Sequence, residues 1–302
     1  MSVCNLCPRA CKVVRRESIT GEGQLGYCQS GMLPVISRAA LHHWEEPCIA
    51  GTRGAGTVFF AGCNLSCVYC QNYEISERRK GIEVSVSRLR EIYFELIAKG
   101  AHNIDLVTPT HFVPQIIRAL QSAKKQGMYL PVVYNTGGYE RVETLKMLDG
   151  LVDIYLPDFK YLNTDHAKKY SMAEDYPEVA KAALAEMVRQ AGKPVFDERG
   201  MMKRGVIVRH LLLPGCLADG KRVVKYLYET YGNRIYMSLM SQYTPLESLD
   251  AVKYPELNRK VPEYAYEKLV DYAISLGVMQ AFIQEGDTAK ESFIPPFTLE
   301  GV

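Results

Sequence analysis

A chain of 302 residues, 47% apolar and 23% charged, has the composition of a folded globular protein and excludes a wholly disordered one. Its 36 basic and 34 acidic side chains leave a formal charge of +2, too little for the electrostatic footprint that nucleic acid or an anionic membrane would select. No apolar run approaches the ~18 residues that cross a bilayer, and the opening MSVCNLCPRACKVVRR has no apolar signal core. The expectation is a soluble, cytoplasmic protein. In that compartment nine cysteines point to metal or redox chemistry rather than to disulfides.

The first fifty residues read as a small appended module, rich in Gly, Pro and Arg. Cys4, Cys7 and Cys11 follow a C-x-x-C-x-x-x-C pattern, and Cys28 comes later. Four thiolates in so short a segment suit a closed metal site, filled either by an auxiliary iron–sulfur cluster or by structural zinc. Arg9, Arg15 and Arg16 read as a solvated basic face. Cys48, near His42 and His43, reads as a buried small residue, with service as an extra ligand as the alternative.

From about residue 55 the chain alternates strand and helix. Short apolar runs at 56–61, 103–107, 131–135, 151–157, 205–213, 234–240 and 277–283 suit parallel strands covered on both faces. Between them, Leu89, Ile92, Tyr93 and Leu96 repeat at helical spacing, with Ser87 as the expected N-cap and Gly100 as the stop. Val113, Ile116, Ile117 and Leu120 form a second such stripe, with Pro114 in the first turn. Val223, Val224, Leu227 and Tyr231 form a third, and Leu269, Val270 and Ala273 mark a last helix ending near Gly277. Residues 176–192 look helical, and 193–205 look like a hairpin turning near Gly200. Serial βα units of this kind build an open α/β sheet or a partial or complete barrel.

Directly after the first of these strands comes GCNLSCVYC, residues 62–70. The C-terminal end of a strand is where α/β folds build their sites. Three thiolates can ligate three irons of a cubane and leave the fourth iron open. A zinc knuckle is the competing reading, but zinc asks for four N/S ligands in paired sets. Polar groups recur at the later strand ends: TPTH (108–111), NTGGY (135–139), PDFKY (157–161), RHLLLPG (209–215), SQYTP (241–245) and QEG (284–286).

Cys63, Cys67 and Cys70 spell C-x-x-x-C-x-x-C, with Tyr69 immediately before the last cysteine. The stretch resembles the motif of the radical S-adenosylmethionine (SAM) enzymes, and the likeness extends over most of residues 55–295. It looks closest to the branch typified by pyruvate formate-lyase activating enzyme. The resemblance implies a partial (β/α)6-type barrel over 51–302 behind a Cys-rich metal-binding module at 1–50. It implies a [4Fe–4S] cluster on Cys63, Cys67 and Cys70 whose open iron is chelated by the amino and carboxylate groups of SAM. Reductive cleavage then gives methionine and a 5′-deoxyadenosyl radical that abstracts a hydrogen atom, an oxidoreductase activity.

By the same resemblance Tyr69, Thr108, Thr110, Asn135, Thr136, Asp158, Lys160, Arg209 and His210 are expected around the cofactor. Thr108 and Thr110 stand where the family has a Gly-Gly-Glu motif facing the cofactor's amino group. Asn135 and Thr136 resemble residues near the ribose. Asp158 and Lys160 resemble an Asp-x-Lys feature of activating enzymes. Arg209 and His210 resemble a polar pair near the methionine carboxylate or adenine. Read as residues alone, each is equally a satisfied strand-end group.

The expected substrate is a protein or peptide, as for a glycyl-radical-enzyme activase, with a small molecule as the alternative. A flavodoxin or ferredoxin is the expected reductant. A non-catalytic electron-transfer protein is disfavoured, because such carriers ligate their clusters completely. A nucleic-acid-binding zinc protein is disfavoured by the near-neutral charge.

Overall fold

The computed structural model describes residues 3–17, 23–77, 80–247, 249–284 and 295–302. Of the expected strand-end groups, Glu285 and Gly286 lie outside the described residues. In chain order the elements are β1 (Val35–His42), α1 (Pro47–Ala50), β2 (Ala55–Phe60), α2 (Tyr73–Ser76), β3 (Ile82–Glu83), α3 (Val86–Ala98) and β4 (Ile104–Val107). There follow α4 (Val113–Lys125), β5 (Val132–Thr136), α5 (Val142–Lys146), β6 (Ile154–Pro157), α6 (Thr164–Ser171), α7 (Tyr176–Ala191) and β7 (Val195–Phe196). The chain closes with β8 (Met202–Leu211), α8 (Leu217–Tyr231), β9 (Tyr236–Met240), α9 (Glu263–Leu276) and β10 (Ala281–Ile283).

The strands form one sheet in the order β10-β9-β8-β6-β5-β4-β2-β1-β3, with β7 hairpinned onto β8. From β2 through β10 the neighbours along this path are parallel, and β1 and β3 run antiparallel at one side. Among the described residues the two edges, β10 and β3, do not pair, so the sheet is an open, partial barrel.

Strand alternation divides the side chains between two faces. Val58, Leu106, Tyr134, Tyr155, Val206 and Val208 face outward into one continuous core. They meet Leu89 and Ile92 of α3, Ile116 and Leu120 of α4, Leu184 of α7 and Val223 of α8. The concave face carries the next residues along each strand. Parallel register sets Thr57, Asp105, Val133 and Ile154 in one row across it, and Phe59, Val107, Asn135 and Leu156 in the row above. One step higher, Asp158 bridges Arg209. Below these rows Cys48, Ile49 and Ile207 close an apolar floor. Above them, at Thr136, Asp158 and Arg209, the strand ends turn polar, and there the site is built.

Each of the seven expected strands is present. Two local readings change. The helix α3 is capped by Ser85, whose hydroxyl accepts from the Arg88 amide at 3.1 Å, and not by Ser87. Within the expected module at 1–50, residues 36–42 pair with β2, with a register shift at Ser37, so this stretch is a strand of the sheet. Ser37 and Arg38 interrupt its apolar run, yet Val35, Ile36, Ala39 and Ala40 are buried. Cys48 is buried on the floor with α1, as a small core residue would be.

Candidate active site

Gly62 ends β2 with φ at +85°. A Cβ there would stand 2.6 Å from the Cys28 carbonyl oxygen and 2.7 Å from Ser30 Oγ, so glycine is required both by conformation and by space. The chain then coils through Asn64 to Tyr69 and brings Cys63, Cys67 and Cys70 to the wall of one cavity of about 130 Å³. Each sulfur has a hydroxyl or amide beside it. The Leu65 amide donates to Cys63 Sγ at 3.4 Å, the Ser76 hydroxyl donates to Cys70 Sγ at 3.4 Å, and Ser171 Oγ lies 3.0 Å from Cys67 Sγ. Burial pushes all three thiols up, Cys70 to about 11. A metal centre must therefore displace protons from them, and the polar neighbours are placed to steady the resulting sulfur charge.

The donor set suits a cubane with one open corner. Among the described residues, no three His, Cys, Asp or Glu side chains draw together closely enough to share a single ion. Thiolates on one tetrahedral zinc, at ~2.3 Å from the metal, would sit only ~3.8 Å apart. Thiolates on separate irons of a cluster need no such convergence.

The same cavity is also lined by Thr108, Asn135, Thr136, Asp158, Lys160 and Arg209. Thr108 has φ at +57°, a left-handed conformation that costs a β-branched residue ~1–2 kcal/mol. Its amide donates to the Asn135 carbonyl at 2.9 Å, so the sheet holds it there. Gly138, with φ at +80°, leaves space for the Asp158 carbonyl, which a Cβ would meet at 2.2 Å.

Arg209 is the hub of the polar wall. Its guanidinium donates to Asp158 Oδ1 at 3.0 Å, Glu45 Oε2 at 3.1 Å and Asn135 Oδ1 at 2.6 Å. Lys160 Nζ donates to Asp158 Oδ2 at 2.7 Å, and Asn135 Nδ2 donates to Glu45 Oε1 at 3.2 Å. Burial alone would raise Asp158, but Lys160 and Arg209 outweigh it and hold the carboxyl below its usual range. Burial would lower Lys160 and Arg209, and Asp158 more than offsets this, so both cations stay charged. Deeper down, burial drives Asp105 and Glu46 towards their neutral acid forms.

The structure places three of the expected residues outside this lining. Tyr69 packs beneath the loop, its hydroxyl against that of Tyr161 and its ring edge-on to Tyr243. Thr110 is buried in a 3-10 turn and donates to Glu140. His210 points to the outer face, as alternation after Arg209 dictates. There its Nδ1 lies 2.8 Å from the Phe159 carbonyl and its ring packs against Gly220. Cys216 is buried at the start of α8 and does not line the cavity.

Glu45, Glu46 and Asp105 were not singled out from the sequence. Asp105 carried a signal, since an acidic residue inside an apolar strand asks for a reason. The two glutamates lie between β1 and α1 and reach the barrel interior only through the sheet's topology.

The N-terminal cysteine segment backs onto this loop where the Cys28 carbonyl meets Gly62. Cys7 and Cys28 are buried, and the thiols of Cys7 with Cys11 and Cys28, and of Cys28 with Cys4, lie close enough to raise one another.

Comparison with known proteins agrees with this architecture. The chain is 27% identical over 276 residues to the uncharacterised protein MJ0674 of Methanocaldococcus jannaschii, covering 89% of this chain and 74% of that one. Among solved structures it resembles a radical SAM methyltransferase from Sphaerobacter thermophilus, with a TM-score of 0.51 and 15% identity over 76% of this chain and 66% of that one. It also resembles HydG, a maturase of the [FeFe]-hydrogenase, with a TM-score of 0.50 and 15% identity over 77% of this chain and 52% of that one. At such identities the likeness is one of fold. The chain spans between half and two thirds of the length of these two solved chains. Residues 57–215, from β2 to the turn before α8, match the Radical SAM superfamily. That stretch is more than half of the chain and contains the three thiols together with the polar groups that line the same cavity, and the protein belongs to the radical SAM superfamily.

Proposed function

We propose that Cys63, Cys67 and Cys70 hold a [4Fe–4S] cluster at which SAM is reductively cleaved, and that the product radical takes a hydrogen atom from a protein or peptide. When bound, the cluster and SAM supply a 5′-deoxyadenosyl radical. This chain's residues do the rest. Lys160 and Arg209 offer fixed positive charge to a carboxylate. Asn135, Thr136 and Thr108 offer hydrogen-bonding groups to the remainder of the cofactor. Asp158, held ionised, aims both cations and accepts from a ligand's amine or hydroxyl.

The observation that carries the reading is one cavity lined both by three thiols and by this charged set. Hydrogen-atom abstraction requires no general base, and the buried histidines His111 and His210, both pushed down by burial, are not asked to supply one.

A peptide-like substrate is favoured by space. Among the described residues the sheet is not closed between β10 and β3. A substrate presented as a loop at that opening needs no engulfing chamber, which is the arrangement of an activase-like enzyme. The stoichiometry calls for an external one-electron donor, for which a flavodoxin or ferredoxin is suited. Among the described residues no helix is long and apolar enough to cross a membrane.

The test is anaerobic reconstitution with iron and sulfide, followed by dithionite and SAM. Formation of 5′-deoxyadenosine is expected. Intact SAM, under conditions where an authentic superfamily enzyme consumes it, overturns the reading. Deuterium-labelled candidate peptides then report substrate class through label transfer into 5′-deoxyadenosine.

A further inference from the structure

The N-terminal segment folds without a hydrocarbon core. Of its described residues between 3 and 33, the only buried apolar side chains are Cys7 and Cys28. What the segment encloses is sulfur. Its backbone is also held in conformations that need a cause. Ala10 and Lys12, flanking Cys11, and Gln29, following Cys28, all have φ between +41° and +56°. Such left-handed non-glycine residues persist only where the surroundings impose them. Backbone pairing brings the thiols together: the Cys4 amide donates to Val13 O at 2.8 Å and the Lys12 amide to Cys4 O at 3.1 Å. The Tyr27 amide donates to Cys11 Sγ at 3.2 Å, a contact typical of a metal-bound thiolate loop.

This segment is fastened to the radical-site loop by residues lying between its own cysteines. Arg9 Nε donates to the Asn64 carbonyl at 2.9 Å, and its guanidinium stacks 3.9 Å from the Tyr27 ring. The Tyr27 hydroxyl donates to Ser66 Oγ at 2.9 Å. Asn64 and Ser66 sit between Cys63 and Cys67. The Cys28 carbonyl backs onto Gly62 so closely that no Cβ fits between.

We infer that Cys4, Cys7, Cys11 and Cys28 hold a thiolate-ligated metal centre whose occupancy fixes the shape of the Cys63–Cys70 loop. On loading, each thiol gives its proton to solvent and its sulfur to the metal. The ring so closed replaces the missing hydrophobic core and sets Arg9 and Tyr27 against the loop. An iron–sulfur cluster, whose thiolates sit on separate irons, fits this set, and a single zinc does not, since among the described residues no three such side chains converge on one ion. The coupling rests on the function proposed for the Cys63–Cys70 loop, but the metal site does not.

The test uses the full-length chain with Cys63→Ser, Cys67→Ser and Cys70→Ser, so that only the N-terminal set can load. One arm receives iron and sulfide under anaerobic conditions, and a control arm receives zinc alone. A cluster of up to about four irons per chain is expected in the first arm, and stoichiometric zinc loading in place of a cluster overturns it. The four thiols should become protected from alkylation. Amide exchange across residues 63–70 should slow about tenfold, the scale of one or two hydrogen bonds made or lost.

A second variant adds Arg9→Ala and Tyr27→Phe to that background. It should retain the metal and lose the slowing. Failure of the iron arm to load, with the thiols still reactive or joined as disulfides, overturns the site. Loading without slower exchange, or slowing that survives loss of Arg9 and the Tyr27 hydroxyl, overturns the coupling. The variants lack the radical-site thiols, so either failure is independent of SAM cleavage by the unmodified chain.

Discussion

Replacing Arg209 by methionine tests the polar wall most directly. The substitution keeps most of the side-chain volume and removes three hydrogen bonds, two of them to carboxylates. Asp158 retains Lys160 at 2.7 Å, but among the described residues Glu45 has no second cation within bonding distance. With 9% of its side chain exposed and its carboxyl already pushed up by burial, Glu45 must then take a proton or stay a buried charge, with Asn135 as its remaining side-chain donor among the described residues. Removing one partner of a buried ion pair in this way costs about 3–5 kcal/mol. At a urea dependence of about 3 kcal/mol per molar, that lowers the unfolding midpoint by roughly 1 M. Replacing the pair together, Arg209→Met with Glu45→Met, removes both charges and should recover most of the loss. The double variant should nonetheless fail to bind SAM, since Arg209 lines the cavity. Urea titrations of the two single variants and the double one close a thermodynamic cycle. A single-variant cost below about 0.5 kcal/mol, or a cycle without coupling, would refute the hub.

Three further outcomes follow from the same geometry. Burial raises the Glu140 carboxyl from 4.5 to about 7, against donors Thr110, Thr136 and Tyr134. Its contribution to stability is then complete below pH 4.5 and is lost as pH rises through about 7. At 1.36 kcal/mol per pH unit that interval amounts to about 3 kcal/mol, and Glu140→Gln should flatten this part of the stability–pH curve. Gly138→Ala would place a methyl group 2.2 Å from the Asp158 carbonyl oxygen. It should cost at least ~2 kcal/mol in thermal or chemical unfolding and weaken SAM binding with it. Ser85→Ala removes the α3 cap and should cost about 1 kcal/mol while leaving SAM cleavage unchanged, a control distant from the cavity.

Much of this protein was legible as a string. The seven parallel strands were readable because strands covered on both faces must be apolar at nearly every position. The helices followed from the spacing of Leu89 with Ile92 or Val223 with Leu227, and their ends from Gly100 and Gly277. The thiol loop was readable because its spacing and its place after a strand agree. VISRAALH was not readable as a strand, since it lies at the side of the sheet and carries Ser37 and Arg38, and the nearby cysteines drew it into the appended segment. Facing was the other gap. Arg209 and His210 are neighbours in sequence and look like a pair, yet a strand sends them to opposite sides of the sheet.

The sequence by itself determined the local chemistry: which segments must be strands, where three thiols crowd together, and that the N-terminal cysteines form a set. Only the tertiary structure decided which polar groups share the cavity, that Glu45 arrives from another strand's loop to meet Arg209, and that Arg9 and Tyr27 brace the thiol loop. The physical reason is range. Propensity and periodicity act over a few residues, whereas an ion pair between Glu45 and Arg209 exists only after the sheet has curved and brought distant segments together.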